Sequence, residues 1–303
     1  MRYNLMFPTR AVKHWSQWCQ GASIGEVANL VEQAGFDAFS MSEHPYPDKA
    51  WLANGGHHSF DPFVSLSFAA AATTHIRVMT YILVSGYRSP YLTAKAAASL
   101  DVLSGGRFTL GTGAGYLKSE FEALQADFGR RGALLDEAIE AWRAIWAGRD
   151  HDGPDFGVNG HLALPLPQTE GGPPIWIGGN GTAAQRRVVE VADGWMPMAA
   201  SGETAAIARA RPLEDIATLR DWIARVNKRR AELGRDAADV AFVPFEAALL
   251  ASGDSNAFCS AVRPQLDTYA DAGVTWITIE PASRNLTDFR TDLDSLTSRL
   301  VHR

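Results

Sequence analysis

The chain has 303 residues, of which 46% are hydrophobic and 20% are charged, and its formal net charge is -6. This composition is typical of a globular protein with a sizeable core and excludes a disordered chain. The negative charge argues against a nucleic-acid partner, because phosphate binding requires clustered Lys and Arg. The sequence contains neither an apolar run of 18 residues nor a signal peptide, so it predicts a cytoplasmic protein that does not span a membrane.

Cysteine and histidine spacing predicts no metal site. The 2 cysteines, Cys19 and Cys259, lie far apart in the sequence. No group of histidines has the spacing of metal ligands. Two widely separated thiols fit a reducing compartment, and we expect no metal cofactor.

Hydrophobic periodicity predicts strands and helices in alternation along the whole chain. The predicted strands cover residues 3–7, 36–41, 76–84, 108–111, 175–177, 194–198, about 241–250 and 275–279. The predicted helices begin at the capping boxes Ser23-x-x-Glu26 and Thr182-x-x-Gln185, at Ser89-Pro90 and near Gly132. About eight strand–helix units favour a closed barrel of parallel strands over an open sheet.

Residues 148–174 interrupt this alternation. The interval is rich in Gly and Pro and shows no hydrophobic period, which is typical of an insertion. We therefore predict the α/β class and one domain over residues 1–303, a (β/α)8 TIM barrel with an insertion near 148–174.

Two glycine clusters follow predicted strands, at residues 111–115 and 178–181. Glycine lets backbone N–H groups approach a ligand that a Cβ atom would hold away. The second cluster precedes a helix start at Thr182, and free N–H groups at a helix start bind phosphate. We expect Arg186 or Arg187 to reinforce this phosphate site. The alternative is a plain glycine turn before a helix.

His44 follows Glu43 at the end of the second predicted strand, where the ligands of a (β/α)8 barrel collect. Imidazole gives and takes protons near neutral pH, so His44 is a candidate catalytic residue. The alternative is a structural histidine that only donates a hydrogen bond. Aromatic residues such as Tyr46 and Trp51 fall in nearby loops and could wall an apolar pocket.

Several motifs occur in the order that is typical of one family. They are Ser42-Glu43-His44, residues 94–107, Leu110-Gly-Thr-Gly-Ala-Gly115, Arg131-Gly-x-x-Leu-Asp-Glu137, Pro174-Ile-Trp-Ile-Gly-Gly179 and Ala192-Asp-Gly-Trp195. With these motifs the chain resembles the bacterial luciferase-like monooxygenase superfamily, and most of all its coenzyme F420-dependent branch. The resemblance covers residues 3–195.

The resemblance implies a TIM barrel, a homodimer, and a flavin or deazaflavin held at the carboxyl ends of the strands. In F420-dependent members the residues matching Glu43 and His44 lie near the deazaflavin ring, and the histidine is the proposed acid or base. A non-proline cis peptide that supports the ring would fall at Tyr81-Ile82. The resemblance places further cofactor contacts at Gly113, Ala114, Gly115, Gly178, Gly179, Asn180, Gly181 and Ala183.

The substrate pocket is expected between the loops at 12–21 and 45–60, Tyr87 and the insertion, with Tyr46, Trp51 and Tyr116 as its lining residues. Their aromatic character favours an apolar or planar small-molecule substrate. Tyr116 stands where the F420-dependent glucose-6-phosphate dehydrogenases have a glutamate, so we set that substrate aside. Glu43 is often an aspartate in relatives.

These observations lead to three hypotheses. The first is an F420-dependent oxidoreductase that transfers a hydride between the deazaflavin C5 and an organic substrate, with His44 moving the coupled proton. The alternative is an FMN-dependent monooxygenase that uses reduced flavin and O2 on the same scaffold. The third is a non-catalytic flavin-binding protein.

Overall fold

The computed structural model describes residues 1–20 and 22–301. Gly21 and residues 302–303, which end the predicted pocket loop and the predicted domain, lie outside the described residues. The strands are β1 Arg2–Met6, β2 Ala38–Met41, β3 Arg77–Thr80, β4 Leu83–Val84, β5 Phe108–Gly113, β6 Ile175–Gly178, β7 Gly194–Met196, β8 Asp239–Phe242 and β9 Trp276–Ile279. All pair in parallel, in the order β3-β2-β1-β9-β8-β7-β6-β5-β4.

The sheet closes into a barrel because β3 also pairs with β5, with Val78 opposite Phe108. The third predicted strand is present as two parts, β3 and β4, and β4 continues the pairing with β5. Between the two parts lie Tyr81 and Ile82, whose peptide bond is cis. Counting β3 and β4 as one strand gives eight, so the predicted (β/α)8 barrel is confirmed.

The described residues form fourteen α-helices. They are α1 Trp15–Trp18, α2 Ser23–Gln33, α3 Lys49–Ala53, α4 Pro62–Ala72, α5 Pro90–Ser104, α6 Lys118–Ala123, α7 Arg131–Trp146, α8 Thr182–Glu190, α9 Gly202–Ile207, α10 Ile216–Glu232, α11 Ala248–Ala251, α12 Ser255–Val262, α13 Leu266–Asp271 and α14 Leu286–Leu296. Short 3-10 helices cover Val12–His14, Ser85–Tyr87, Phe245–Ala247 and Arg263–Gln265, and a π-helical turn covers Thr297–Val301. None of these helices is long and apolar enough to cross a bilayer.

The barrel interior holds a separate small core, on which Tyr81 and Ile82 pack. Its buried members are Ala38, Met79, Trp176, Met196, Ala241 and Trp276. Gly111 shows how closely the strands approach here, because a Cβ atom at this position would lie 2.1 Å from the backbone oxygen of Thr80. The side chains of this core fill the barrel interior on which Tyr81 and Ile82 pack.

The predicted capping boxes are wrong. Ser23 and Thr182 are the first residues of α2 and α8, and the N-cap positions are Ala22 and Gly181, which provide no side-chain cap. The predicted strand over 241–250 is also shorter, because β8 ends at Phe242 and short helices follow. Five other helices, α3, α4, α10, α12 and α14, have side-chain N-caps. The capping residues are Asp48, Asp61, Asp215, Asp254 and Asn285.

The segment 148–174 contains no helix or strand beyond an isolated bridge between His151 and Val158. It is anchored by α7 and α5. Glu137 of α7 accepts a hydrogen bond from the backbone N–H of Phe156 at 2.6 Å, and Asp101 of α5 accepts one from Thr169 at 2.8 Å. These contacts place the segment against the two helices, and its part in the substrate pocket stays a prediction.

Candidate active site

His44 is held in place by a buried glutamate. The Nδ1 atom of His44, three residues beyond β2, lies 2.9 Å from Oε2 of Glu120 on α6. The Glu120 side chain is 0% exposed. Its carboxylate also accepts hydrogen bonds from the hydroxyl of Tyr87 at 2.9 Å and from the backbone N–H of Tyr46 at 3.0 Å. Three donors from two segments, the loop after β2 and the 3-10 helix Ser85–Tyr87, thus converge on one carboxylate.

This arrangement decides which nitrogen of His44 carries the proton in the neutral ring. An ionised carboxylate only accepts hydrogen bonds, so Nδ1 is the donor toward Glu120. Burial and the charge of Glu120 raise the pKa of Tyr87, which keeps its hydroxyl a donor as well. In the described part of the chain Nε2 of His44 has no hydrogen-bond partner. Nε2 is therefore the atom that can exchange a proton with a ligand.

Aromatic rings enclose His44, whose side chain is only 8% exposed. The ring centroid of Trp51 lies 4.3 Å away, that of His57 lies 4.8 Å away in an edge-on orientation, and that of Tyr116 lies 6.2 Å away. Trp51 and Tyr116 thus lie beside His44, and their part in a substrate pocket stays a prediction. The Tyr46 side chain, by contrast, is 71% exposed, and only its backbone takes part.

The Glu43 side chain binds different partners from those of His44. One carboxylate oxygen accepts the backbone N–H of Val84 in β4 at 2.6 Å, and the other is paired with Arg88. Burial raises the pKa of Glu43 to about 7, although Arg88 and the N–H of Val84 lower it. The structure thus connects Glu43 to the strand that follows the cis peptide.

A third buried carboxylate, that of Glu280, lies at the carboxyl end of β9. Glu280 accepts hydrogen bonds from the hydroxyl of Thr9 at 2.6 Å and from Nε of Arg10 at 2.7 Å, both in the loop after β1. Burial opposes its ionisation, but the charge of Arg10 and these hydrogen bonds lower the pKa of Glu280 overall. Burial lowers the pKa of the neighbouring His57 to about 4, so this ring is neutral at pH 7.

Glycines near Tyr81 and Ile82 make room for a protein side chain. A Cβ atom on Gly113 would lie 2.5 Å from Cδ1 of Ile82, and one on Gly178 would lie 2.8 Å from the same atom. At Gly115, with a φ of 81°, a Cβ atom would lie 2.8 Å from the Phe121 ring. Ile82 thus fills the space beside Gly113 and Gly178, and the contacts of these glycines with a cofactor stay a prediction. Ala114, between the first and third of these glycines, is half-buried.

The turn before α8 offers free backbone donors. The first helical bond runs from Gln185 N–H to the Gly181 oxygen at 3.0 Å, so the N–H groups of residues 182–184, Ala183 among them, precede it. A Cβ atom on Gly181 would meet nothing within 4 Å, and Gly179 has a φ of 111°. The side chain of Asn180 is fully used, since it donates to the backbone oxygens of Met198 at 2.7 Å and Arg211 at 2.8 Å. Asn180 therefore fixes the shape of the turn.

The expectation that Arg186 or Arg187 reinforces this turn is wrong. Both guanidinium groups are paired with Asp136 of α7, at 2.8 Å and 2.7 Å. The structure brings two other guanidinium groups together, those of Arg131 and Arg209.

Arg131 and Arg209 share the aromatic ring of Phe128, with their Cζ atoms 3.9 Å and 5.1 Å from its centroid. Arg131 also donates to the backbone oxygen of Gly115, just beyond β5. Burial and the charge of Arg209 lower the pKa of Arg131. Within the described residues neither guanidinium has a carboxylate partner. Asn180 ties the turn before α8 to the backbone of Arg211, two residues beyond Arg209.

A model of the family described as luciferase-like monooxygenase matches residues 1–297. The chain belongs to this family. One curated relative of this luciferase-like protein is the F420-dependent glucose-6-phosphate dehydrogenase of Nocardia farcinica (strain IFM 10152), 32% identical over 184 residues. The alignment covers 58% of this chain and 53% of the relative, so the chain spans about half the length of that protein.

Solved structures share the luciferase-like fold over nearly the whole chain. The monooxygenase RslO1 from Streptomyces bottropensis matches with a TM-score of 0.77 and 19% identity over 99% of each chain. An F420-dependent secondary alcohol dehydrogenase, in complex with an F420-acetone adduct, matches with a TM-score of 0.73 and 16% identity over 99% of this chain and 98% of that one. At these identities the likeness shows the fold alone. The family membership predicted from the sequence motifs is confirmed by the family model.

Sequence reasoning missed Glu120, Arg10 and Glu280. A systematic look at the residues after every strand would have found Arg10 and Glu280, which follow β1 and β9. Glu120 lies within a short helix and carries no motif of its own, so only its contact with His44, 76 positions away, identifies it. Among residues 1–20 and 22–301, no cluster of three or more His, Cys, Asp or Glu side chains could hold a metal ion.

The opposite pKa shifts of Glu43 and His57 predict opposite effects on the pH dependence of stability. Folding raises the pKa of Glu43 from 4.5 to about 7, so the stability that Glu43 contributes is present at low pH and is lost as the pH rises through 7. Folding lowers the pKa of His57 from 6.5 to about 4, so the stability that His57 contributes is present above pH 6.5 and is lost as the pH falls through 4. In the wild type the two contributions oppose each other.

Single variants separate them. As the pH is raised from 4.5 to 7, the unfolding free energy of Glu43→Gln should increase by about 3 kcal/mol relative to that of the wild type. Over the same range, the unfolding free energy of His57→Gln should decrease by about 3 kcal/mol relative to that of the wild type. Urea denaturation at a series of pH values measures this. The control is Glu26→Gln, because Glu26 forms an exposed ion pair with Arg290. Parallel pH curves for the wild type and both site variants would contradict the assignment.

Proposed function

We propose that the protein is an F420-dependent oxidoreductase that transfers a hydride between the deazaflavin C5 and an organic substrate, while His44 carries the coupled proton. The observation that carries this proposal is the environment of His44. Its Nδ1 is bound to the buried Glu120, and its Nε2 has no partner in the described residues at the open end of the barrel. A side chain fixed in one tautomer, with one nitrogen left for a ligand, suits proton transfer.

The residues present fit a deazaflavin with an anionic tail. The free N–H groups at the start of α8 and the guanidinium groups of Arg131 and Arg209 would hold the negative tail. Tyr81 and Ile82, packed on the barrel interior, would lie beneath the ring. When bound, the deazaflavin supplies the hydride chemistry at C5, and the protein supplies position and electrostatics.

The chain's own residues have distinct parts in this mechanism. His44 gives or takes a proton at Nε2. Glu120 orients the imidazole and stabilises its protonated form. Trp51 and His57 keep water away from the ring through direct ring contacts. Glu43 acts as a positioning residue, because it binds the N–H of Val84 just beyond the cis peptide.

We propose a substrate other than a sugar phosphate, although the Nocardia relative is named for glucose-6-phosphate. Tyr116 occupies the position where the glucose-6-phosphate dehydrogenases have a glutamate. Its ring and that of Trp51 lie 6.2 Å and 4.3 Å from His44. Aromatic walls around the acid or base favour an apolar or planar molecule.

The cofactor titration separates the leading function from its alternatives. Trp51 is a natural probe, since it lies beside His44. We expect quenching of tryptophan fluorescence by F420 at lower concentration than by FMN. Arg209→Met should weaken F420 binding about tenfold by removing one charge-assisted contact. The control is Arg229→Met, because Arg229 is an exposed arginine on α10.

Other outcomes decide against the proposal. Tighter binding of FMN, with oxygen consumption by the reduced complex, supports the FMN-dependent monooxygenase. Binding of F420 without oxidation of its reduced form by any carbonyl, enone or nitro acceptor, unchanged in His44→Ala, supports a non-catalytic binding protein.

We also propose that two copies of the chain form a homodimer through α4 and α5. These neighbouring helices pack against each other and expose large apolar side chains, each more than half exposed. The side chains are Val64, Phe68, Leu92 and Leu103. Several exposed apolar side chains on neighbouring helices are typical of a subunit interface, and a two-fold dimer buries the same face of both copies.

The mass in solution tests the dimer. Light scattering after gel filtration should give twice the chain mass of 32.8 kDa for the wild type and the single chain mass for Phe68→Glu. The control Leu233→Glu changes an apolar side chain on another helix end that is 58% exposed. A monomeric wild type at micromolar concentration, or a dimeric Phe68→Glu variant, would contradict this interface.

A further inference from the structure

Arg10 is a charged group at the open end of the barrel that the proposed mechanism does not use. Its Nε atom donates to Glu280 at 2.7 Å, and its side chain is 51% exposed. Within residues 1–20 and 22–301, this is its one hydrogen bond. The two Nη groups therefore have N–H donors that are free for a ligand.

The guanidinium is held rigidly. The Glu280 side chain is 8% exposed and is fixed in turn by the hydroxyl of Thr9 at 2.6 Å. Burial opposes the charge of Glu280, and the charge of Arg10 offsets this cost, so each ion requires the other. A guanidinium with one edge bound to a buried carboxylate and the rest free resembles a binding site prepared before its ligand arrives.

Arg10 lies at the same end of the barrel as His44. Burial lowers the pKa of His57, and the charge of Arg10 adds to this shift. Burial raises the pKa of Tyr116 to about 12, and the charge of Arg10 opposes it. Both rings therefore lie near the guanidinium, and both touch or border His44, at 4.8 Å and 6.2 Å. Arg10 follows β1 and His44 follows the neighbouring parallel strand β2, so the free donors of Arg10 and the free Nε2 of His44 lie at the same end of the barrel, around the same two rings.

The local charges indicate what Arg10 would bind. Its positive charge is balanced by Glu280, His57 is neutral at pH 7, and Glu120 adds a further carboxylate beneath His44. An anionic ligand at Arg10 would therefore add negative charge beside the carboxylates of Glu280 and Glu120. A neutral oxygen acceptor, by contrast, gains hydrogen bonds from a charged donor without adding negative charge.

We infer that Arg10 is a substrate-binding residue that donates to the carbonyl oxygen of a planar, neutral ketone or enone. This inference rests on the proposed function and specifies its substrate class. In the reducing direction for a ketone, the carbonyl carbon accepts a hydride from a reduced deazaflavin, the C=O π bond breaks, and the oxygen takes a proton from Nε2 of His44. The ketone becomes an alcohol, and the deazaflavin is oxidised. The N–H donors of Arg10 stabilise the negative charge that develops on the oxygen.

Three probes of nearly equal shape test this inference by binding alone. Acetophenone carries the carbonyl, α-methylstyrene replaces its oxygen by a methylene, and benzoate carries a negative charge on the same ring. The protein is first loaded with oxidised F420, which cannot reduce a ketone, and loading is followed by the absorbance of the deazaflavin. Equilibrium dialysis then gives each dissociation constant.

We expect acetophenone to bind the wild type about 10- to 100-fold more tightly than α-methylstyrene, and benzoate to bind no better than the hydrocarbon. Arg10→Met should abolish the preference for acetophenone. The matched control is Arg290→Met, because Arg290 is also 51% exposed and paired with a glutamate. That variant should keep the preference of the wild type.

Two further variants guard against a folding defect, since Arg10→Met leaves Glu280 without its cation. Arg10→Lys keeps the charge, and Arg10→Met with Glu280→Gln removes both charges. Circular dichroism identifies the folded variants, and the double variant should also lose the preference. Equal affinity for ketone and hydrocarbon, tighter binding of benzoate, no binding of any probe, or a preference that survives the double variant would overturn the inference.

Failure of the proposed function is distinguishable from these outcomes. If the protein does not take up F420, the absorbance of the dialysed protein shows it before any probe is added. The same three probes are then measured on the unloaded protein. A preference for acetophenone that depends on Arg10 upholds the inference about Arg10 while the F420 proposal fails, and its absence overturns both.

Discussion

The hydrogen bond between Glu120 and His44 is the interaction on which the site depends. It joins α6 to the loop after β2, and the same carboxylate binds Tyr87 and the backbone of Tyr46. A carboxylate removed from water needs several donors to offset its lost hydration, so these four residues are mutually required. A hydrogen bond to a charged group contributes about 1.5–3 kcal/mol, enough to hold the imidazole in one orientation.

The barrel supplies the geometry on which this network rests. Closure through β3 and β5 brings Gly111 within van der Waals range of Thr80, and the strand resumes as β4 only after Tyr81 and Ile82. Glu43 secures β4 from the neighbouring strand end. Beside β2, Arg10 and Glu280 connect the loops after β1 and β9. Carboxylates at three strand-to-helix connections therefore shape the open end of the barrel.

The sequence predicted the barrel because each strand has its own local hydrophobic pattern and its own glycine or helix signal. The family resemblance also predicted the cis bond between Tyr81 and Ile82. It failed where a side chain's partner lies far away in sequence. Arg187 is paired with Asp136, 51 positions away, and Glu120 meets His44 across 76 positions. The capping boxes failed for a different reason, since the path of the chain into α2 and α8 decides the N-cap.

The tautomer of His44 tests the central claim most directly, because it depends on Glu120 and requires neither cofactor nor substrate. Nitrogen-15 NMR of the protein labelled in its histidines distinguishes a protonated ring nitrogen from an unprotonated one, and the His44 signals are assigned with His44→Gln. At a pH where the ring is neutral, we expect the proton on Nδ1 in the wild type, and a mixture of both tautomers in Glu120→Ala. A wild-type ring protonated at Nε2, or a tautomer unchanged by Glu120→Ala, would contradict the account.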